Sequence, residues 1–156
     1  MSVIVMEYRG NIFLLNYPMV GVLASRLINS GSILPTLDWA MQQAKDPNAN
    51  IISGFQSIFE RKILRYLLDG KCGIIIVLAR KMYKQLPAEY KQPLDEGRML
   101  ILSICDAPRT CKYYAQKRNE YIAQNATSLI FISLHENSSL NKIYEQYSQS
   151  KSTITL

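Results

Sequence analysis

Cysteine and histidine are scarce in this chain: three cysteines, Cys72, Cys105 and Cys111, and one histidine, His135. The cysteines stand at no metal-ligand spacing and their odd number makes a poor disulfide framework, so reduced thiols in a cytoplasmic protein are expected. A zinc site would need carboxylates recruited around a single histidine, and no metal is expected. Long hydrophobic runs are lacking as well. The longest, Ile74 to Ala79, is far too short to span a bilayer. The first residues, Met1 to Met6, are apolar, but Glu7 and Arg9 follow at once without a small-residue cleavage site, so neither a signal peptide nor a membrane partner is expected. There is no Gly-x-x-x-x-Gly-Lys-Ser/Thr loop for nucleotide hydrolysis, and no Gly-x-Gly-x-x-Gly follows the first strand. Ser133 and His135 lack a third partner and a positioned nucleophile, so no catalytic triad is read. The expectation is a protein without cofactor and without catalysis.

What is present is ordinary globular composition. The 156 residues are 48% hydrophobic and 19% charged, enough for one domain that buries roughly 70% of its unfolded surface. Lys and Arg number 18 against 12 acidic residues, a net charge of +6, which favours polyanionic partners such as nucleic acid or nucleotides.

Apolar runs and helical stripes alternate along the chain. Val3–Met6 and Ile12–Leu15, separated by Glu7–Asn11, read as a hairpin or an edge strand appended over residues 1–17. Met19–Leu23 is a buried strand. A loop at 29–32 then leads into a helix with Ser32 as its cap and Leu37, Ala40, Met41 and Ala44 on one face. Asn50–Ser53 is a short strand, Glu60–Leu68 a helix ended by Gly70, and Gly73–Ala79 a strand with no polar alternation, as expected when both faces are covered. Met99–Ser103, a helix over 110–124, strand Leu129–Leu134, helix Leu140–Tyr147 and strand Thr153–Leu156 complete the pattern, with residues 148–152 polar enough to be loose. Strands alternating with helices predict an α/β, Rossmann-like, doubly wound and mostly parallel sheet.

Four segments at apolar-run ends carry small, polar or basic residues: Ala24-Ser25-Arg26, Ser53-Gly54-Phe55, Ala79-Arg80-Lys81 and Lys117-Arg118-Asn119. A parallel sheet gathers such ends at its carboxyl edge, where phosphate-rich ligands bind. Arg26, Arg80, Lys81, Lys117 and Arg118 are candidates for phosphate capture, with Ser25 and Asn119 beside them and a Ser53-Gly54 turn offering backbone amides. Tyr83 and Lys84 extend the basic cluster after the central strand in a basic-aromatic pattern suited to single strands. Of Tyr113, Tyr114 and Tyr121, whose spacing is mixed, at least one should be core.

Read in order, these segments resemble the Rossmann-like core of the DNA-processing proteins called DprA or Smf, within the nucleotide-binding superfamily they share with the LOG proteins. Val20–Arg26 resembles the family strand ending in Gly-Ser-Arg, Ile51–Phe55 its Ser-Gly loop, and Gly73–Ala79 and Leu94–Ser103 the next two strands. Arg118-Asn119-Glu120-Tyr121-Ile122-Ala123 resembles its Arg-Asn-Arg-x-Ile-Ala. The resemblance runs from about residue 18 to the end. Departures are concrete: Ala24 and Ala79 stand where the family has glycines. Ile58, Phe59, Glu60 and Leu64 replace a Gly-Ile-Asp and a histidine, and Glu120 replaces the second arginine. The resemblance implies single-stranded DNA or RNA as partner and a homo-oligomer. The alternatives are a nucleotide-sensing module and a degenerate domain serving protein–protein assembly.

Overall fold

A computed structural model describes residues 3–156; the start of the apolar Met1–Met6 stretch lies outside the described residues. A seven-stranded sheet runs through the molecule in the order β1-β5-β4-β3-β2-β6-β7. The strands are β1 (Glu7–Gly10), β2 (Val20–Ala24), β3 (Asn50–Ser53), β4 (Gly73–Leu78), β5 (Met99–Ser103), β6 (Ser128–Ile132) and β7 (Ser152–Thr155). All pairings are parallel except β1 with β5. Between them lie α1 (Ser30–Lys45), α2 (Ile58–Leu68), α3 (Lys91–Asp95), α4 (Lys112–Asn125) and α5 (Ser139–Tyr147).

The expected Rossmann-like sheet is present, and its apolar logic is plain in β4. Ile74, Ile76 and Leu78 enter the core beneath α1 and α2, with Ala40, Ala44, Ile63 and Leu67. Ile75 and Val77 enter the opposite core beneath α4 and α5, with Tyr121, Ile122 and Leu140. Both faces of the strand are dry, which is why its sequence shows no alternation. Tyr121 is the core tyrosine among the three expected to supply one. Growth of the sheet from β2 through β3, β4 and β5, then back to β6 on the other side of β2, puts the topological switch between β2 and β6.

Three expectations need correction. No hairpin forms among the described N-terminal residues. The segment read as its turn, Glu7–Gly10, is itself the edge strand, and Ile12–Asn16 is a 3-10 turn packed on the second core. All four β1 residues are exposed and held through backbone pairing to β5, so hydropathy carried no sign of the strand. Gly10, at φ +100°, turns the chain out of it. Helix α1 begins at Ser30 with Asn29 as its cap residue, and Ser32 is instead buried, donating to the Leu156 carbonyl at 3.0 Å. The 148–152 segment is tethered: Lys151 Nζ donates to the carbonyls of Ala123, Gln124 and Ala126 at 2.6, 2.8 and 2.6 Å, closing the C-terminus of α4.

Arg98 does the same for α2. It is nearly buried, its guanidinium donates to the carbonyls of Leu67, Leu68 and Cys72, and Nε pairs with Glu96 at 3.0 Å. A cation on the last carbonyls of a helix also complements its dipole. Arg98→Met, which keeps the stem and removes the donors, should cost about 2–4 kcal/mol because three carbonyls are deprived of a charged partner. Urea unfolding checks this; a midpoint unchanged from wild type would show the cap to be idle.

Candidate nucleic-acid interface

Parallel pairing brings the carboxyl ends of β2 to β6 to one rim, and α1, α2, α4 and α5 start there. Ser25 and Arg26 leave β2, Gly54 leaves β3, Arg80 and Lys81 leave β4, and the first two turns of α4 present Lys112, Tyr113 and Lys117. The four segments singled out in the sequence therefore meet on one edge. The loops join each other directly: the Lys81 N–H donates to the Ala107 carbonyl at 2.8 Å, and the Ser103 hydroxyl donates to the carbonyls of Arg80 and Cys105.

The charges on the two rims differ. Loops leaving the carboxyl ends carry Arg26, Arg80, Lys81, Lys84 and Arg109 against Asp106 and Glu136. Loops entering the opposite ends carry Lys71, Arg98 and Lys151 against Asp46, Asp69 and Glu96, and Arg98 and Lys151 are committed to helix carbonyls. Among the described residues, Arg26, Arg80, Lys81, Lys84, Arg109 and Lys112 form no ion pair. Two aromatic rings lie among these cations. The Arg80 guanidinium stands 4.9 Å from the centroid of Tyr83, and Lys117 Nζ stands 5.5 Å from that of Tyr113. Tyr113 is 60% exposed, with Tyr114 packed T-shaped against it at 5.2 Å between ring centroids. Glu120, the departure from the family motif, pairs with Lys117 at 3.4 Å and offsets its charge.

The helices starting on this rim are finished unequally. α1 and α4 have no side-chain cap bond and no acid in the first turn, and α4 opens on Lys112, against its own dipole. α2 is closed by a capping box between Ser57 and Glu60.

The Ser53-Gly54 turn differs from expectation. Ser53 is fully buried; its hydroxyl donates to the Val22 carbonyl at 2.9 Å and accepts the Phe55 N–H at 3.3 Å. The next amides, Gln56 and Ser57, both donate to Glu60 Oε1 at 3.1 Å, so the turn's N–H groups past Gly54 are already engaged. Gly54 itself lies beneath Arg118: a Cβ there would stand 2.7 Å from Arg118 Cδ and Nε. Arg118 is consequently interior, 8% exposed, rather than on the rim surface beside Lys117. Its Nε donates to Asn119 Oδ1 at 3.3 Å and its Nη1 has no partner. Burial pushes its pKa down, and the Glu60 carboxylate opposes that shift. Ser25 is buried with its hydroxyl unpartnered, and its N–H donates to the Ile132 carbonyl at 3.1 Å.

Sequence reasoning missed Glu60, Lys112 and Arg109 as rim residues. For Glu60 the signal was available in Ser57-x-x-Glu60, the capping-box spacing ahead of an apolar stripe. For Lys112 it was a cation in the first turn of a helix. Elsewhere on the rim Ser133, at φ +53°, accepts the Asn29 N–H and donates to Ser32, each at 2.9 Å. His135 meets the Leu27 carbonyl at 3.1 Å. Among the described residues no three metal-ligating side chains converge, and no helix is long and apolar enough to cross a membrane.

No protein-family model matches the sequence, and neither does any curated protein. Solved structures do match. DNA processing protein A (DprA) from Streptococcus pneumoniae superposes with a TM-score of 0.73 at 20% identity, over 95% of this chain and 53% of that one. A Helicobacter pylori DprA structure, described for its single-stranded DNA binding mode, gives 0.71 at 19% identity, over 95% of this chain and 69% of that one. The chain thus spans about half the length of the pneumococcal protein and about two thirds of the other. What the five sequence segments resembled, the backbone reproduces: this chain has the DprA-like, Rossmann-type fold.

Proposed function

We propose that the chain is a DprA-like accessory protein that binds single-stranded DNA or RNA along the carboxyl rim of its sheet, without chemistry on the strand. The observation that carries this reading is the set of cations on one rim, all but Lys117 without ion-pair partners, interleaved with Tyr83 and Tyr113. A flexible strand needs phosphate contacts at intervals and flat apolar faces for its bases, and this rim offers both. Arg26, Arg80, Lys81 and Lys117 take phosphates, the uncapped starts of α1 and α4 add backbone N–H groups and a favourable dipole, and Tyr113 stacks a base. Ser25, Ser53, Gly54, Arg118 and Asn119 act from beneath, holding the loops that carry these groups. The Helicobacter pylori protein of the same fold, whose structure concerns single-stranded DNA binding, supports the choice of ligand.

Fluorescence anisotropy of labelled oligo-dT across a salt series tests this directly. Binding should be micromolar or tighter at about 50 mM salt and weaken steadily above it. Combined Arg26→Ala, Lys81→Ala and Lys117→Ala should flatten the logarithmic salt slope by about 0.7 for each phosphate that is no longer neutralised. An absence of binding at low salt, or an unchanged slope in the triple variant, would remove the rim as the strand site. Tyr113→Ala should weaken binding roughly fivefold or more while leaving the slope intact, as expected when a base is stacked on the ring. Glu120→Gln releases Lys117 and removes a nearby negative charge. It should tighten binding about two- to fivefold at low salt, with the gain disappearing at high salt. A gain that persists in high salt would point to a packing effect instead.

A further inference from the structure

We infer that the rim contains a built pocket for one phosphate- or carboxylate-sized anion, occupied by the chain's own Glu60, and that this occupancy excludes free phosphate and mononucleotides. The inference deepens the strand-binding reading above and rests on it only for the identity of the outer ligand.

A capping box requires one bond back from Glu60, to the N–H of Ser57. Glu60 makes that bond and two more from different parts of the fold: Oε1 also accepts from Gln56 at 3.1 Å, and Oε2 accepts from Ala24, at the end of β2, at 3.2 Å. Three amide donors, two from the β3–α2 loop and one from the end of β2, converge on one carboxylate that is only 6% exposed. They converge at the N-terminus of an eleven-residue helix, where the dipole favours negative charge.

The second observation is Arg118. Its guanidinium, 92% buried, lies against Gly54 in the same loop, and its Nη1 has no partner. Glu60 is the acidic group whose charge it feels, yet the two are not within ion-pair distance of 4.0 Å. A buried donor with no partner, lying against the loop that holds Glu60, gives an anion in the carboxylate's place a positive charge to meet. The Ser25 hydroxyl, next to Ala24 in sequence, is likewise buried without a partner.

With Glu60 in place, an incoming phosphate meets a fixed negative charge and amides already satisfied. A strand can still be held outside by several exposed cations at once, but a single phosphate has no comparable foothold. Glu60 is therefore a specificity-determining residue: it turns a nucleotide-type cradle into a closed strut and leaves the outer rim as the binding surface.

The test uses the whole chain with inorganic phosphate, formate and adenosine monophosphate as probes, at constant ionic strength set with chloride. Wild type should bind none of them by calorimetry. Glu60→Ala should be less stable than wild type, and formate or phosphate, but not chloride, should raise its melting temperature with a saturating dependence. Glu60→Gln fills the same volume with a neutral amide and should show no such rescue, at least about tenfold weaker in anion response. If Glu60→Ala is unfolded in chloride, refolding by phosphate or formate carries the same meaning, and failure to refold in either overturns the inference. Phosphate or nucleotide binding by wild type overturns it too, as does a folded Glu60→Ala that responds identically to all three anions. Oligo-dT anisotropy on the same proteins reports separately: strand binding absent with anion rescue intact would sink the strand reading alone.

Discussion

Parallel strand direction orders the rest of this structure. Because β2 to β7 run the same way, the crossover helices α1, α2, α4 and α5 start at the carboxyl rim and run towards the other. Helix dipoles then add, making one rim partially positive and the other partially negative. The side-chain charges divide accordingly. On the negative rim Arg98 and Lys151 are drawn onto the final carbonyls of α2 and α4. On the positive rim cations outnumber acids, and Arg26, Arg80, Lys81, Lys84, Arg109 and Lys112 form no ion pair among the described residues. The same arginine and lysine chemistry is structural at one end of the sheet and free at the other.

Within that rim the division of labour is set by depth. Arg118 and Glu60 lie below the surface and join three elements: α4, the start of α2 and the end of β2. Arg26, Arg80 and Lys81 lie above them on short loops. The residues closest to the sheet tie the edge together, while Arg26 and Lys81 farther out are exposed to solvent. An alanine at position 24 fits this arrangement. Ala24 sends its N–H to Glu60 and has no need of a bare backbone for ligand approach.

The sheet was largely legible in the sequence. β3 and β5 have the limits that their apolar runs predict, and β4 differs by one residue, because strands dry on both faces leave unbroken β-branched runs. The edge strand β1 was not legible in the same way, since its exposed side chains leave no hydrophobic trace of backbone pairing. The inward turn of Arg118 was hidden for a related reason. In Lys117-Arg118-Asn119-Glu120 every residue is polar, and nothing in local periodicity says which of them faces the sheet. Gly54, distant in sequence, decides it by leaving the space that the guanidinium fills.

The sequence by itself determined the alternation of strands and helices, the excess of basic charge and the gathering of polar segments at strand ends. These follow from local pattern, and local pattern is sufficient to specify an α/β sheet with polar segments at its carboxyl edge. Tertiary structure alone decided which of those polar groups face solvent and which face each other. Amides from the end of β2 and from the β3–α2 loop meet on Glu60, and Arg118 is buried over Gly54, only because strands β2 and β3 and helices α2 and α4 pack at that one corner. Convergence of groups far apart in the chain depends on strand order and helix packing, and no window of sequence contains it.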